Sequence, residues 1–134
     1  MGILDKLKGI IFGKKGLSEE EQKEALSRII EASELMESRV KYFGRRAQEA
    51  RISAKEALKR NDEEKARQLL SEWYYNLQME ETYRNISFNL RQNLDLIRRA
   101  RDMKVISEAF NQTRKILSDI VSLESQEDAL RRAV

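Results

Sequence analysis

Residues 54–66 read AKEALKRNDEEKA, and they decide the fold. The run Ala54-Lys55-Glu56-Ala57-Leu58-Lys59 is good helix material. Arg60-Asn61-Asp62 then interrupts it, and Glu63-Glu64 opens a fresh acidic first turn. Asn or Asp before two glutamates is a helix start, because the side-chain oxygen caps orphan amide groups and the acids suit the positive end of the new helix dipole. The chain therefore stops one helix at about residue 59 and begins another at about 62.

Working back from that corner, apolar or small side chains recur by threes and fours: Ala57, Ala54, Ala50, Ala47, Phe43, Val40, Met36, Ser33, Ile29 and Leu26. That is a heptad seam with Ser33 as its only polar member. Gly44 sits off it and permits a bend. Ser18 with Glu21 forms a capping box, which starts the first helix at about 18. Working forward, the second helix (about 62–101) carries Ala66, Leu69, Leu70, Trp73, Leu77, Tyr83, Ile86, Leu90, Leu94 and Ile97. Its rhythm slips near Glu80-Glu81, as a stutter would make it. Arg101-Asp102 marks a bend. A third helix (about 103–123) carries Val105, Ile106, Ala109, Phe110, Ile116, Leu117, Ile120 and Val121, and Ser125 with Asp128 starts a short final helix (about 126–133).

Charge is arranged in blocks. Residues 18–37 hold two positive and seven negative side chains (net −5), and 38–60 hold eight and two (net +6). Residues 61–83 hold two and six (net −4), and 84–104 hold six and two (net +4). If the chain doubles back at Arg60-Asn61, residue i faces roughly residue 121 − i, and every block meets its opposite. The expected fold is all-α: a long antiparallel helical hairpin, with a short N-terminal amphipathic helix and additional C-terminal helices. Its core would hold Val40, Phe43, Ala47, Ala50, Ala54 and Ala57 against Leu70, Trp73 and Leu77, small residues opposite bulky ones. A two-helix rod buries one seam per helix, so self-association is the natural way to bury more.

The N-terminal segment, residues 1–16, reads as a membrane anchor followed by a Gly13–Gly16 hinge, ahead of a helical domain at 17–134. Ile3, Leu4, Leu7, Ile10, Ile11 and Phe12 form an apolar stripe, and Lys6, Lys8, Lys14 and Lys15 flank it. An apolar face edged with lysines suits an in-plane helix on anionic lipid. Met1-Gly2 lacks the Ser or Thr at position 6 that myristoylation wants, since Lys6 stands there. Gly9 to Lys14 has three residues between its glycines where a phosphate loop needs four.

Composition narrows the function classes. The 134 residues contain no proline, cysteine or histidine, and 37% are charged. Thiolate sites and disulfides are thereby ruled out, and a carboxylate-bridged metal bundle lacks the histidines of its Glu-x-x-His pairs. No enzyme, cofactor or metal is expected. Nucleic-acid binding by the basic block 38–60 is disfavoured because each basic block is matched by an acidic one, with no interleaved aromatics.

The stretch Ala54–Phe110 resembles the second and third helices of ESCRT-III proteins, the charged multivesicular body protein family. The resemblance lies in the order of parts: Ala57-Leu58-Lys59-Arg60, the acidic helix start, Ala66-x-x-Leu69-Leu70, a long amphipathic helix, then Val105 and Ala109. The basic preceding helix and the amphipathic N-terminus extend it over most of the chain. Its charge-rich, minimal form looks most like an archaeal cell-division member, and MGILDKL is similar to the opening of the bacterial PspA group, whose members share the fold and a membrane-maintenance role. The resemblance implies a cytoplasmic, peripheral membrane protein forming filaments with itself, and with paralogous subunits, to constrict or cut anionic membranes. It implies lipid contact by the N-terminal residues above and by Arg39, Lys41, Arg45, Arg46 and Arg51. An AAA ATPase is a partner of the family. Its recruiting motif is not seen up to the final DALRRAV, so the chain is expected to be truncated or to rely on a paralogue for disassembly.

Overall fold

A computed structural model describes residues 18–133, with side chains to Ala129. They form three helices and no strand: α1 (Glu19–Lys59), α2 (Glu63–Arg99) and α3 (Met103–Ala133). The starts are set by local chemistry. At α1 the Ser18 hydroxyl accepts from the Glu21 amide at 3.2 Å while the Ser18 amide donates to the Glu21 carboxylate at 3.3 Å, the reciprocal box expected from the sequence. At α3 the Lys104 amide donates to Asp102 Oδ1 at 2.9 Å.

The corner between α1 and α2 uses three residues. Asn61 has φ of 60°, the left-handed region, and is the one non-glycine residue there among those described. Its amide donates to the Leu58 carbonyl at 3.0 Å, and the Asp62 amide reaches the Ala57 carbonyl at 2.9 Å. This pair of bonds is the Schellman ending, with Asn61 at the position glycine usually fills. Asp62 then accepts the Lys65 amide on Oδ1 at 3.2 Å and caps α2. One residue closes a helix and opens the next.

The described residues divide into two compact units. One is Leu35–Asn85; the other takes the residues up to Glu34 with those from Ile86 onward. In Leu35–Asn85, α1 buries Met36, Phe43, Ala47, Ala50, Ala54 and Ala57. The facing part of α2 buries Ala66, Asn76, Met79 and Tyr83, and the Phe43 and Tyr83 rings stack 5.6 Å apart at 11°. A Cβ added at Gly44 would stand 2.7 Å from Glu80 Oε2, the flexible end of a side chain that lies over the glycine. Phe43 was expected opposite residue 78 and meets Tyr83 instead. Helical side chains lean toward their own N-terminus, so tips that touch belong to an α2 residue farther from the corner than backbone counting suggests.

The second unit buries neighbouring positions in pairs: Asn93 with Leu94 on α2, and Ala109 with Phe110 on α3. Residues 19–34 of α1 similarly bury Ala32 with Ser33. Adjacent helical positions point about 100° apart, so burial of both requires neighbours on two sides. Thr113, wholly buried, returns its hydroxyl to the Ala109 carbonyl at 2.9 Å. Among the described residues no buried side-chain nitrogen or oxygen lacks a partner.

Two sequence expectations are corrected. Leu70 and Leu77 are exposed at 41% and 36% and do not belong to the core. The inward row of α2 runs Ala66, Leu69, Trp73, Asn76, then Met79 buried beside half-buried Glu80, then Tyr83, Ser87, Leu90, Leu94 and Ile97, so the rhythm does shift near Glu80. Asn76 can sit inside because its Nδ2 donates to the Glu72 carbonyl at 2.7 Å. The separate final helix does not form, since α3 runs through Ser125–Asp128 without a break.

Asn61→Gly should raise stability and Asn61→Val should lower it by about 1–2 kcal/mol, the cost of a β-branched side chain in the left-handed region. Urea unfolding of the two variants checks the order.

Candidate membrane-facing and self-association surface

Sequence reasoning assigned lipid contact to two groups of residues. Ile3, Leu4, Lys6, Leu7, Lys8, Ile10, Ile11, Phe12, Lys14 and Lys15 lie outside the described residues. The second group, on α1, is spread around the helix. Lys41, Arg45, Arg46 and Arg51 are exposed and Arg39 is half-buried. Arg39 and Arg46, one heptad apart, share a line bordering the buried row. Arg46 places its guanidinium 5.9 Å from the centroid of the Tyr42 ring, a cation–π contact that steadies a long cation on the surface.

Lys41 and Arg45 occupy the side of α1 opposite the alanines. Lys55 and Lys59, missed from sequence, continue that line, with Gln48 and Ile52 between. The spacing was legible: 41, 45, 48, 52, 55, 59 steps by four and three, like the alanine row itself. Ile52 is 51% exposed in its middle. Arg51 lies off the line.

The core set divides. Phe43, Ala47, Ala50, Ala54 and Ala57 are buried, Val40 and Trp73 are half-buried, and Leu70 and Leu77 face outward. A feature not expected is the concentration of apolar side chains on the surface of one unit. Ten large hydrophobic residues are exposed among those described, and seven belong to Leu35–Asn85: Tyr42, Ile52, Leu58, Leu70, Tyr74, Tyr75 and Leu77. Single exposed apolar residues are ordinary; of these seven, Leu70, Tyr74 and Leu77 adjoin along one side of α2, and the others are spread around their helices.

Ion pairs of known geometry run along single helices: Glu24–Arg28 at 3.5 Å, Glu56–Arg60 at 3.4 Å and Glu80–Arg84 at 3.1 Å. At their exposures each contributes ~0–1 kcal/mol. Glu80 differs, because its carboxylate also rests over Gly44 and its side chain is only 21% exposed. Among the described residues no group of three or more acidic side chains is placed to hold a metal ion, and no helix is long and apolar enough to cross a membrane. Neither a family model, nor a curated protein, nor a solved structure matches the chain.

Gly44→Ala tests the Glu80–Gly44 contact. In a Glu80→Ala background it should stabilise the chain by ~1 kcal/mol, the helix-propensity gain. With Glu80 present the gain should fall only slightly, because just the flexible carboxylate end has to turn aside; a double-mutant cycle by urea unfolding measures the difference.

Proposed function

We propose that this chain is a membrane-remodelling scaffold, an ESCRT-III-like antiparallel helical hairpin that assembles with copies of itself on anionic membranes and drives their constriction or scission. The observation that carries the proposal is the set of exposed apolar side chains on Leu35–Asn85, with Leu70, Tyr74 and Leu77 along one side of α2, on a unit whose buried core is a narrow strip. A unit built this way gains most by packing against others of its kind.

Electrostatics supports the same conclusion. The basic block 38–60 and the acidic block 61–83 lie on the two helix segments joined at Asn61, so each copy offers both signs to its neighbours. The Phe43–Tyr83 stack and the Gly44–Glu80 approach support the doubled-back arrangement that puts the blocks side by side.

Membrane attachment falls to residues 1–16, the apolar stripe edged with lysines, assisted by cations of α1. A segment of that length binds weakly alone and firmly when a polymer presents many copies, because each further copy binds at high effective concentration. Each basic residue near an anionic surface adds about 1 kcal/mol. The protein is thus peripheral, with lipid and its own copies as partners.

Sedimentation with vesicles tests this. The full chain should pellet with phosphatidylserine vesicles and not with neutral ones, and removal of residues 1–16 should weaken binding at least about tenfold. Equal pelleting of both forms removes the anchor, and retention on DNA at physiological salt in place of lipid would favour a nucleic-acid role.

A further inference from the structure

Along one side of α2, Leu70, Tyr74 and Leu77 adjoin at 41%, 60% and 36% exposure. Steps of four and three place them on a stripe about 10 Å long. The same stepping puts exposed Glu63 and Glu81 at its two ends, and Arg67 is the one cation between. The Tyr74 hydroxyl accepts from Gln78 Nε2 at 2.8 Å, which holds the ring along its own helix. Residues 61–83 carry six acidic and two basic side chains, so the stripe lies in a negative stretch.

The chain itself contains a segment of matching chemistry. Residues 1–16 hold four lysines against one aspartate, and Ile3, Leu4, Leu7, Ile10 and Ile11 recur at helical threes and fours. In a helix those five would cover about 12 Å, close to the length of the α2 stripe. An apolar row edged with lysines fits an apolar ridge ended by carboxylates for the same reason that it fits an anionic bilayer. Both offer apolar surface beside negative charge.

We propose that, away from membrane, residues 1–12 of one copy lie on the Leu70, Tyr74 and Leu77 stripe of a second copy, which returns the same contact, so that both lipid anchors are sheltered in a closed pair. This rests on the anchor role proposed above and names what holds the anchor off the membrane. A second copy supplies the segment because α1, 41 residues long, sets its first turn about 60 Å of helix from the corner. The stripe returns at most about 24 Å along α2, and residues 13–17 reach only ~18 Å. A reciprocal exchange closes at two copies and does not propagate. Lipid then binds only the open fraction, and its apparent affinity is reduced by that fraction. An anionic surface draws the segments out, because each copy that attaches raises the effective concentration for the next.

Leu70→Ser combined with Leu77→Ser tests the shelter by its sign. The double substitution removes apolar surface and adds no charge, so by itself it gives lipid nothing new to bind. A released anchor should nevertheless bind phosphatidylserine vesicles about three- to tenfold more tightly than the wild type. Without lipid, sedimentation equilibrium should find the full chain paired. The double variant, and separately Leu7→Ser combined with Ile10→Ser, should each weaken that pairing at least about tenfold. Far-UV circular dichroism verifies that each variant remains helical. Measurable vesicle binding by the Leu70 and Leu77 variant that is no tighter than wild type overturns the proposal. So does pairing that survives the Leu7 and Ile10 substitutions, or a wild-type chain that stays single or grows beyond a pair. Failure of the scaffold reading looks different: wild type and variants alike then ignore anionic vesicles, while loss of pairing in both variants retains the docked segment.

Discussion

Leu35–Asn85 is held by a narrow strip of side chains on each helix, and on α1 that strip is chiefly alanine. Ala47, Ala50, Ala54 and Ala57 are all at or below 6% exposure, yet each contributes only a methyl group. Burial stabilises by about 25 cal/mol per Å², so small side chains on a narrow strip yield a modest core. What they leave is room, and beside them the Glu80 side chain lies over Gly44. The large apolar residues that would enlarge a core stand outside it. From this constraint follow the exposed leucines and tyrosines, the outward rows and the case for assembly.

The polar members of the inward rows fit the same economy. Ser33, Asn76 and Ser87 are buried at or below 7% exposure. Asn76 satisfies its amide on its own preceding turn. A buried amide costs stability when left unpaired, and this local bond removes that cost without depending on the facing helix. On helices whose rows repeat every seven residues, a slip by one heptad is the nearest alternative structure. The Phe43–Tyr83 stack and the Glu80–Gly44 approach oppose it from within Leu35–Asn85, because neither contact survives a slip.

Much of this was legible in the sequence where local chemistry decides. The Ser18 box, the Asn61-Asp62 corner and the α1 seam follow from capping geometry and from alanines at threes and fours. On α2 hydrophobicity and spacing disagree: Leu70 and Leu77 read as core, whereas the buried positions lead through Asn76, Met79 and Ser87. The Ser125–Asp128 signal fails for a related reason, since a capping pair starts a new helix only where the backbone has left the previous one, and α3 continues. The cations of α1 were named as one group although the wheel divides them, and Lys55 and Lys59 were passed over beside the alanines they accompany.

Electron microscopy of the full chain on phosphatidylserine vesicles tests the central claim most directly. Regular protein filaments on the lipid, with vesicles drawn into narrower tubes or necks, are what a self-assembling membrane scaffold must produce. Smooth round vesicles under the same protein load, whether bare or evenly coated, would contradict it.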